Sequence, residues 1–231
     1  MTREHSAEIP EVPVTVHQRL NLSAPPYELW VRGELLDELG IRDDGRVRVE
    51  IIGGEIVVSP GPTIDHAGIV GDIQFALDRL RAHDAAFPWR SAQNADFNLE
   101  RIAEGYIPDL VVLDAEVFRD ARKAKVRFLT AEQLSMAVEV TSKWNAADDR
   151  EPGPKRERRS KWNGYALVGV PYFLLVDRDP RRLVVTLYSE PDVDAGVYTV
   201  NQAWEFGQTV SLPEPFGIEI PTEEWEAWDE D

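Results

Sequence analysis

The sequence predicts an α+β (α/β) domain in which short strands and helices are interleaved, opening on a helix and a β-hairpin and closing on a β-meander. Three observations carry this. Short apolar runs, Ile107 to Leu113, Met136 to Thr141 and Tyr172 to Asp177, have the length and β-branched content of strands. Residues 66–81 and 155–167 instead carry apolar side chains at helical spacing. The last third alternates strand-like segments with turn residues. With 231 residues, 43% of them hydrophobic, the chain suits one domain able to bury an ample core.

Met1 to Ala24 is polar and proline-bearing, with weak alternation at Val12, Val14 and Val16, and reads as a flexible arm with at most a short edge strand. Tyr27 to Leu39 sets Leu29, Trp30, Leu35, Leu36 and Leu39 at helical spacing, weakened at Gly33 and stopped by Gly40. Val47 to Ile52 and Glu55 to Val58 flank Gly53-Gly54, a two-residue connection that accepts positive φ, so a hairpin is expected. Thr63 or Asp65 can cap a helix from His66 to about Arg81, whose Ile69, Val70, Ile73, Leu77 and Leu80 form an apolar stripe.

Phe87 to Tyr106 reads as two or three strands of an antiparallel meander leading into the Pro108-Asp109 strand. Glu116 to Leu129 reads as an irregular connection anchored by Phe118, Val126 and Phe128, and Thr130 to Gln133 as a turn or capping element. Trp144 to Pro154 is rich in breakers and reads as loop. A helix is then expected from about Lys155 to Leu167, ended by Gly169, with strands at 172–177, 183–188, 197–200 and 209–212. The domain proper spans 25–221, and 222–231 is an acidic tail in which Trp225 and Trp228 offer side chains for docking onto the domain or a partner, with disorder of so acidic a segment the equal alternative.

The chain has no cysteine, which excludes a disulfide framework, a thiolate metal site and a thiol nucleophile, so any metal ligand must be oxygen or imidazole. Its first eight residues lack the apolar core of a signal peptide, and no run approaches the ~18 apolar residues of a membrane span, so a soluble cytoplasmic protein is expected. The formal charge of -17, from 25 basic and 42 acidic residues, argues against broad coating of nucleic acid but leaves room for a local site. Basic residues gather between Lys155 and Lys161.

Two strands each carry one acid, Asp109 and Glu139. An acid in an apolar strand costs several kcal/mol of desolvation unless it is paired or binds a cation. Magnesium and manganese prefer oxygen donors, and sites acting on phosphates hold them through one or two carboxylates. A lysine nearby can orient the attacking water or stabilise developing negative charge. These parts suit metal-assisted phosphodiester hydrolysis without a covalent intermediate. The plainer readings are a strand-capping Asp109, a Glu139 paired with arginine, a solvated Glu50, a purely structural His66 and a basic run that is only a solvated helix face.

The order helix, meander, Pro-Asp strand, Glu strand, Lys-bearing helix, strand adds weight to the acids. So do Glu50 with Gly54-Glu55, Ser59-Pro60 with His66, Val138-Glu139-Val140-Thr141-Ser142, Lys161 with Tyr165, and Gly169-Val170-Pro171 before Val176-Asp177. Over about Tyr27 to Pro221 this pattern resembles the Uma2 family of the PD-(D/E)xK nuclease superfamily. The resemblance implies a restriction-endonuclease-like core, a central mixed β-sheet flanked by helices, and a Mg- or Mn-dependent endonuclease acting on DNA. It implies Asp109, Glu139 and the Val140 carbonyl as metal ligands, Lys161 as the catalytic lysine, and Glu50 and His66 as accessory residues. The superfamily pattern sets its lysine two positions after the second acid, where this chain has Thr141; Lys143 is nearer in sequence than Lys161 but would sit beyond the strand end. Lys155, Arg156, Arg158 and Arg159 would then bind nucleic acid, and a homodimer would suit cleavage of both strands of a duplex. The alternative on the same fold is a non-catalytic nucleic-acid- or protein-binding module.

Overall fold

A computed structural model describes residues 14–16, 21–42, 45 and 47–229. The expected arm over 1–24 falls largely outside these residues, apart from a short strand β1 (Val14–Val16). Helices α1 (Pro26–Arg32) and α2 (Leu35–Glu38) divide the helix expected over 27–39, because Gly33 turns left-handed at φ 75 and closes α1. Strands β2 (Val47–Ile52) and β3 (Glu55–Pro60) make the hairpin, with Gly53 and Gly54 at φ 59 and 80 in its turn. Next come α3 (Ile64–His83), β4 (Trp89–Gln93), β5 (Phe97–Leu99), β6 (Glu104–Tyr106) and β7 (Leu110–Asp114). The chain continues through α4 (Ala115–Ala124), β8 (Met136–Val140), α5 (Ala146–Asp149), α6 (Lys161–Leu167) and β9 (Tyr172–Asp177). A long hairpin, β10 (Val184–Asp192) with β11 (Val197–Glu205), and a short pair, β12 (Val210–Ser211) with β13 (Glu219–Ile220), close it.

Three of these elements correct the expectations. The stretch read as an irregular connection contains α4, whose first turn is capped by Asp114 accepting from the backbone N–H groups of Glu116 and Val117. The loop over 144–154 contains the single turn α5. The helix expected from Lys155 begins only at Lys161, after Ser160, which forms a capping box with Asn163. Residues 155–160 precede it without helical structure.

The strands form two main sheets. The first runs β1-β3-β2-β6-β5. The second runs β11-β10-β9-β8-β7-β4 and is mixed, since β8 and β9 pair in parallel while its other pairs are antiparallel. Alternation along its strands sends Leu110, Val112, Met136, Val138, Leu174 and Val176 into one core, where the apolar side of α3 covers them. It sends Val111, Leu113, Ala137, Phe173 and Leu175 into the other, against Trp162, Tyr165 and Ala166 of α6. The acidic C-terminal stretch lies on the first of these cores: Trp225 is buried and donates through Nε1 to Asp72 at 2.9 Å, and Arg178 donates to the carbonyl of Glu226 at 3.0 Å.

The site follows from this topology. Strand β7 pairs antiparallel with β8, Leu110 opposite Val138, so Asp109 at the start of one reaches Glu139 and Val140 at the end of the other. The parallel step from β8 to β9 needs a crossover, and α6 within that crossover passes over the same strand ends.

Candidate active site

A cavity of about 240 Å³ opens at these strand ends. Its charged lining comes from six elements or their flanks: Arg48 and Glu50 from β2, His66 from α3, Asp109 before β7, Glu139 from β8, Asp149 from α5 and Lys161 from α6. All five side chains from the catalytic and accessory set expected from the sequence, Asp109, Glu139, Lys161, Glu50 and His66, therefore meet in one place, and the Val140 backbone lines it too. Lys143 does not line the cavity; its Nζ lies 5.4 Å from the centre of the Trp144 ring.

Lys161 is 3% exposed, which for an ammonium is tolerable only among counter-charges. Its Nζ lies 2.9 Å from Glu50 Oε1, 3.1 Å from Glu139 Oε1 and 3.7 Å from Asp149 Oδ1. Burial works against the charged amine, but the carboxylates of Glu139, Glu50, Asp149 and Asp109 outweigh it and hold the lysine well above its ordinary pKa. Glu139 also accepts from the Tyr165 hydroxyl at 2.6 Å. Burial pushes Glu139 up to about 7, with the Lys161 charge opposing and the neighbouring Asp109 and Glu50 adding to the rise. Asp149 is driven well above the usual carboxylate range by the same burial, against the pull of Lys161.

Asp109 behaves in the opposite sense. Burial would raise it, but the close approach of His66 and the charge and hydrogen bond of Arg48 overcome that and hold it far below the usual range. Its Oδ1 accepts from Arg48 at 2.6 Å, its Oδ2 accepts from the Val140 N–H at 2.9 Å, and His66 Nε2 lies 2.9 Å from Oδ2 without hydrogen-bond alignment. Arg48 also donates to Asn94 at 2.6 Å. Glu50 is fixed by the N–H of Ile107, which donates to its Oε1 at 2.8 Å.

Glu50 is 3% exposed, so the plain reading of it as a solvated strand acid does not hold. Arg48 and Asp149 were not expected in the site. Arg48 lies two residues before Glu50 on one strand and so shares its face, which is a readable signal. Asp149 stands beside Asp148 in a stretch of breakers, and nothing in the sequence tells which of the two acids turns inward.

The basic run before α6 is largely bound internally. Arg156 and Arg158 both pair with Asp148, Arg158 also pairs with Glu55 at 2.8 Å, and Arg159 pairs with Glu104 at 2.5 Å. Lys155 is exposed, and none of the four lines the cavity.

The donor set suits a hard divalent ion. Four buried carboxylates, Glu50, Asp109, Glu139 and Asp149, face two fixed cations, Lys161 and Arg48, and Asp149 Oδ1 is buried without a hydrogen-bond donor. As the side chains stand, no three His, Asp or Glu groups among the described residues are arranged to grip one ion, because Arg48 and Lys161 hold the acids instead.

No curated protein matches the chain. The sequence profile of Uma2, described as "Putative restriction endonuclease", matches residues 34–223. Among solved structures, one described as "a putative nuclease belonging to DUF820", from Anabaena variabilis, is similar with a TM-score of 0.55 at 17% identity, covering 82% of this chain and 96% of its own. At that identity the likeness is one of fold. No helix among the described residues is long and apolar enough to cross a membrane.

Proposed function

The chain belongs to the Uma2 family, and from that premise we propose that it is a divalent-metal-dependent endonuclease that hydrolyses DNA phosphodiester bonds in the cavity around Asp109 and Glu139. The observation that carries the reading is Lys161, buried and charged within 3.1 Å of Glu139 and 2.9 Å of Glu50, beside the strand-end Asp109. A buried ammonium among more acids than it can neutralise is costly as mere architecture and useful where a second cation and a phosphate enter.

Asp109, Glu139 and the Val140 carbonyl are the groups that would hold Mg²⁺ or Mn²⁺. When bound, the ion supplies Lewis acidity at the scissile phosphate and lowers the pKa of a bound water. Lys161 orients the attacking water and stabilises the negative charge that grows on the phosphoryl oxygens. Tyr165 fixes the Glu139 carboxylate through its 2.6 Å hydrogen bond, and the Val140 N–H, donating to Oδ2 at 2.9 Å, does the same for Asp109, with His66 Nε2 at 2.9 Å from that oxygen. Glu50 holds Lys161 in place and can accept from the attacking water. For ion binding, Arg48 must give up Asp109 Oδ1, which frees its guanidinium to meet a phosphate. Of the run before α6, Lys155 is the member left to meet the backbone of the substrate. Cleavage of both strands of a duplex would call for two copies related by a twofold axis, which sedimentation of the protein with and without duplex DNA would reveal.

A second reading, a non-catalytic binding module on the same fold, is favoured by one contact, the occupation of Asp109 by Arg48. One experiment decides between them. The purified protein is incubated with Mg²⁺ or Mn²⁺ and single-stranded, duplex or branched DNA, beside Glu139→Ala. The nuclease reading expects metal-dependent cleavage that the substitution abolishes; activity surviving in Glu139→Ala, or DNA binding without cleavage under any of these conditions, sinks it.

A further inference from the structure

On a chain of net charge -17, one surface pocket is lined by five basic side chains: Arg81 in the last turn of α3, Arg90 on β4, and Arg119, Arg122 and Lys123 on α4. None of the five makes an ion pair with a carboxylate among the described residues, in contrast to Arg150, Arg156, Arg158 and Arg159, which are all so paired. Arg119, Arg122 and Lys123 are exposed. Phe118 sits among them, its ring centre 4.9 Å from the Arg90 guanidinium and 5.9 Å from that of Arg122. These contacts restrain two guanidinium planes and lower the entropy lost when they bind a ligand. Gathering like charges without counter-ions costs free energy, and a ligand with closely spaced negative groups offsets it.

The pocket is linked to the candidate active site through one groove and one hydrogen bond. A second groove shares Phe118 and Arg122 with it, carries Lys125 and Arg127 against the single carboxylate of Asp96, and includes Asn94. Asn94 accepts from the same Arg48 that donates to Asp109. The path follows β4, the last strand of the six-stranded sheet, on which Arg90 pairs with Leu113. From Asp109 to Leu113 is four strand residues, roughly 13 Å.

We propose that this face, from Arg48 past Arg127 and Arg122 to Arg90, holds the phosphodiester backbone of a nucleic-acid strand whose next phosphate lies in the acidic cavity. An elongated polyanion explains both the length of the path and its end at Asp109. An acidic protein segment would match the charge but would have no reason to run into a cavity lined by carboxylates. Arginine, four of the five pocket cations, suits this ligand because its planar fork meets two phosphate oxygens at once. The choice of ligand rests on the nuclease reading; the grouping of unpaired cations does not.

The test uses Arg90→Gln/Arg122→Gln/Lys123→Gln, three substitutions in one chain, with circular dichroism to confirm the fold. Both this variant and its parent carry Glu139→Gln to prevent cleavage, and fluorescence anisotropy follows their binding to labelled single-stranded and duplex oligonucleotides across a salt series. The expected result is an affinity loss of at least about tenfold, with the slope of log K against log salt reduced by about 2 to 3. Affinity unchanged within about twofold, an unchanged salt slope, or a parent that binds poly-glutamate and not DNA overturns the proposal. Hydrolysis of bis(p-nitrophenyl) phosphate by the unsubstituted protein, which needs no extended path, reports separately on the nuclease reading. Loss of binding in the triple variant while that protein hydrolyses nothing leaves the path standing and removes the nuclease.

Discussion

At the scale of single residues, function depends on which lysine does chemistry and on what two acids do with their protons. Lys161→Met should lower metal-dependent DNA cleavage by about 10²-fold or more, since it removes charge stabilisation at the reacting phosphate, while Lys143→Met should leave the rate unchanged; single-turnover cleavage measures both. The raised Glu139 predicts a pH dependence in the metal-free protein. Its folded pKa of about 7 lies above an unfolded value of roughly 4.3, so between the two the native state holds the extra proton. Stability from this group is complete below the unfolded value and is lost as pH rises through about 7. Asp109, held low, has the opposite sign: its contribution is complete above roughly 3.9 and is lost on acidification through its folded value. Thermal melts of the metal-free protein from pH 5 to 7 should therefore fall less steeply in Glu139→Gln than in the natural sequence. A slope unaltered by the substitution counts against the assigned environment. Asp109, Glu139 and Lys161 were legible in the sequence because buried strand acids and a family pattern mark them. Asp149 was not, since its burial depends on how α5 packs against α6, which no local pattern encodes.

At the scale of elements, the strands were the most legible, because short apolar runs and a Gly-Gly turn admit few alternatives. Helix α4 was missed for a physical reason: Val117, Phe118 and Ala121 are its only inward apolar residues, and its remaining positions are mostly charged. The start of α6 was placed six residues early, because basic residues favour helices intrinsically and the ion pairs that hold 156–159 out of helix are tertiary. That late start matters for the site, since it puts Lys161 in the first turn, directly after Ser160. Ser160→Ala should cost about 1 kcal/mol of stability by removing the capping box, readable as a lower denaturation midpoint, and should also lower kcat by loosening Lys161. A midpoint shift with kcat intact would separate α6 from the positioning of the lysine.

At the scale of the whole molecule, two sheets, a mixed core and a docked C-terminal segment bring six elements to one cavity. The docking of 222–229 was only half legible: Trp225 and Trp228 signalled attachment, whereas the surrounding acids argued for solvent. Trp225 packs against Phe206, their ring centres 5.8 Å apart, and donates to Asp72 on α3. Trp225→Ala should lower stability by about 3 kcal/mol, equivalent to a melting temperature about 6 to 12 °C lower, and scanning calorimetry will read it. A shift under about 2 °C would mean the segment is dispensable to the core. The central claim is that the acids of this cavity hold a catalytic divalent ion, and it is tested most directly by an anomalous difference map from crystals soaked in Mn²⁺. The expected result is a peak between the carboxylates of Asp109 and Glu139, beside the Val140 carbonyl, with Arg48 released from Asp109. An ordered cavity with no peak there, and Arg48 still on Asp109, would contradict it.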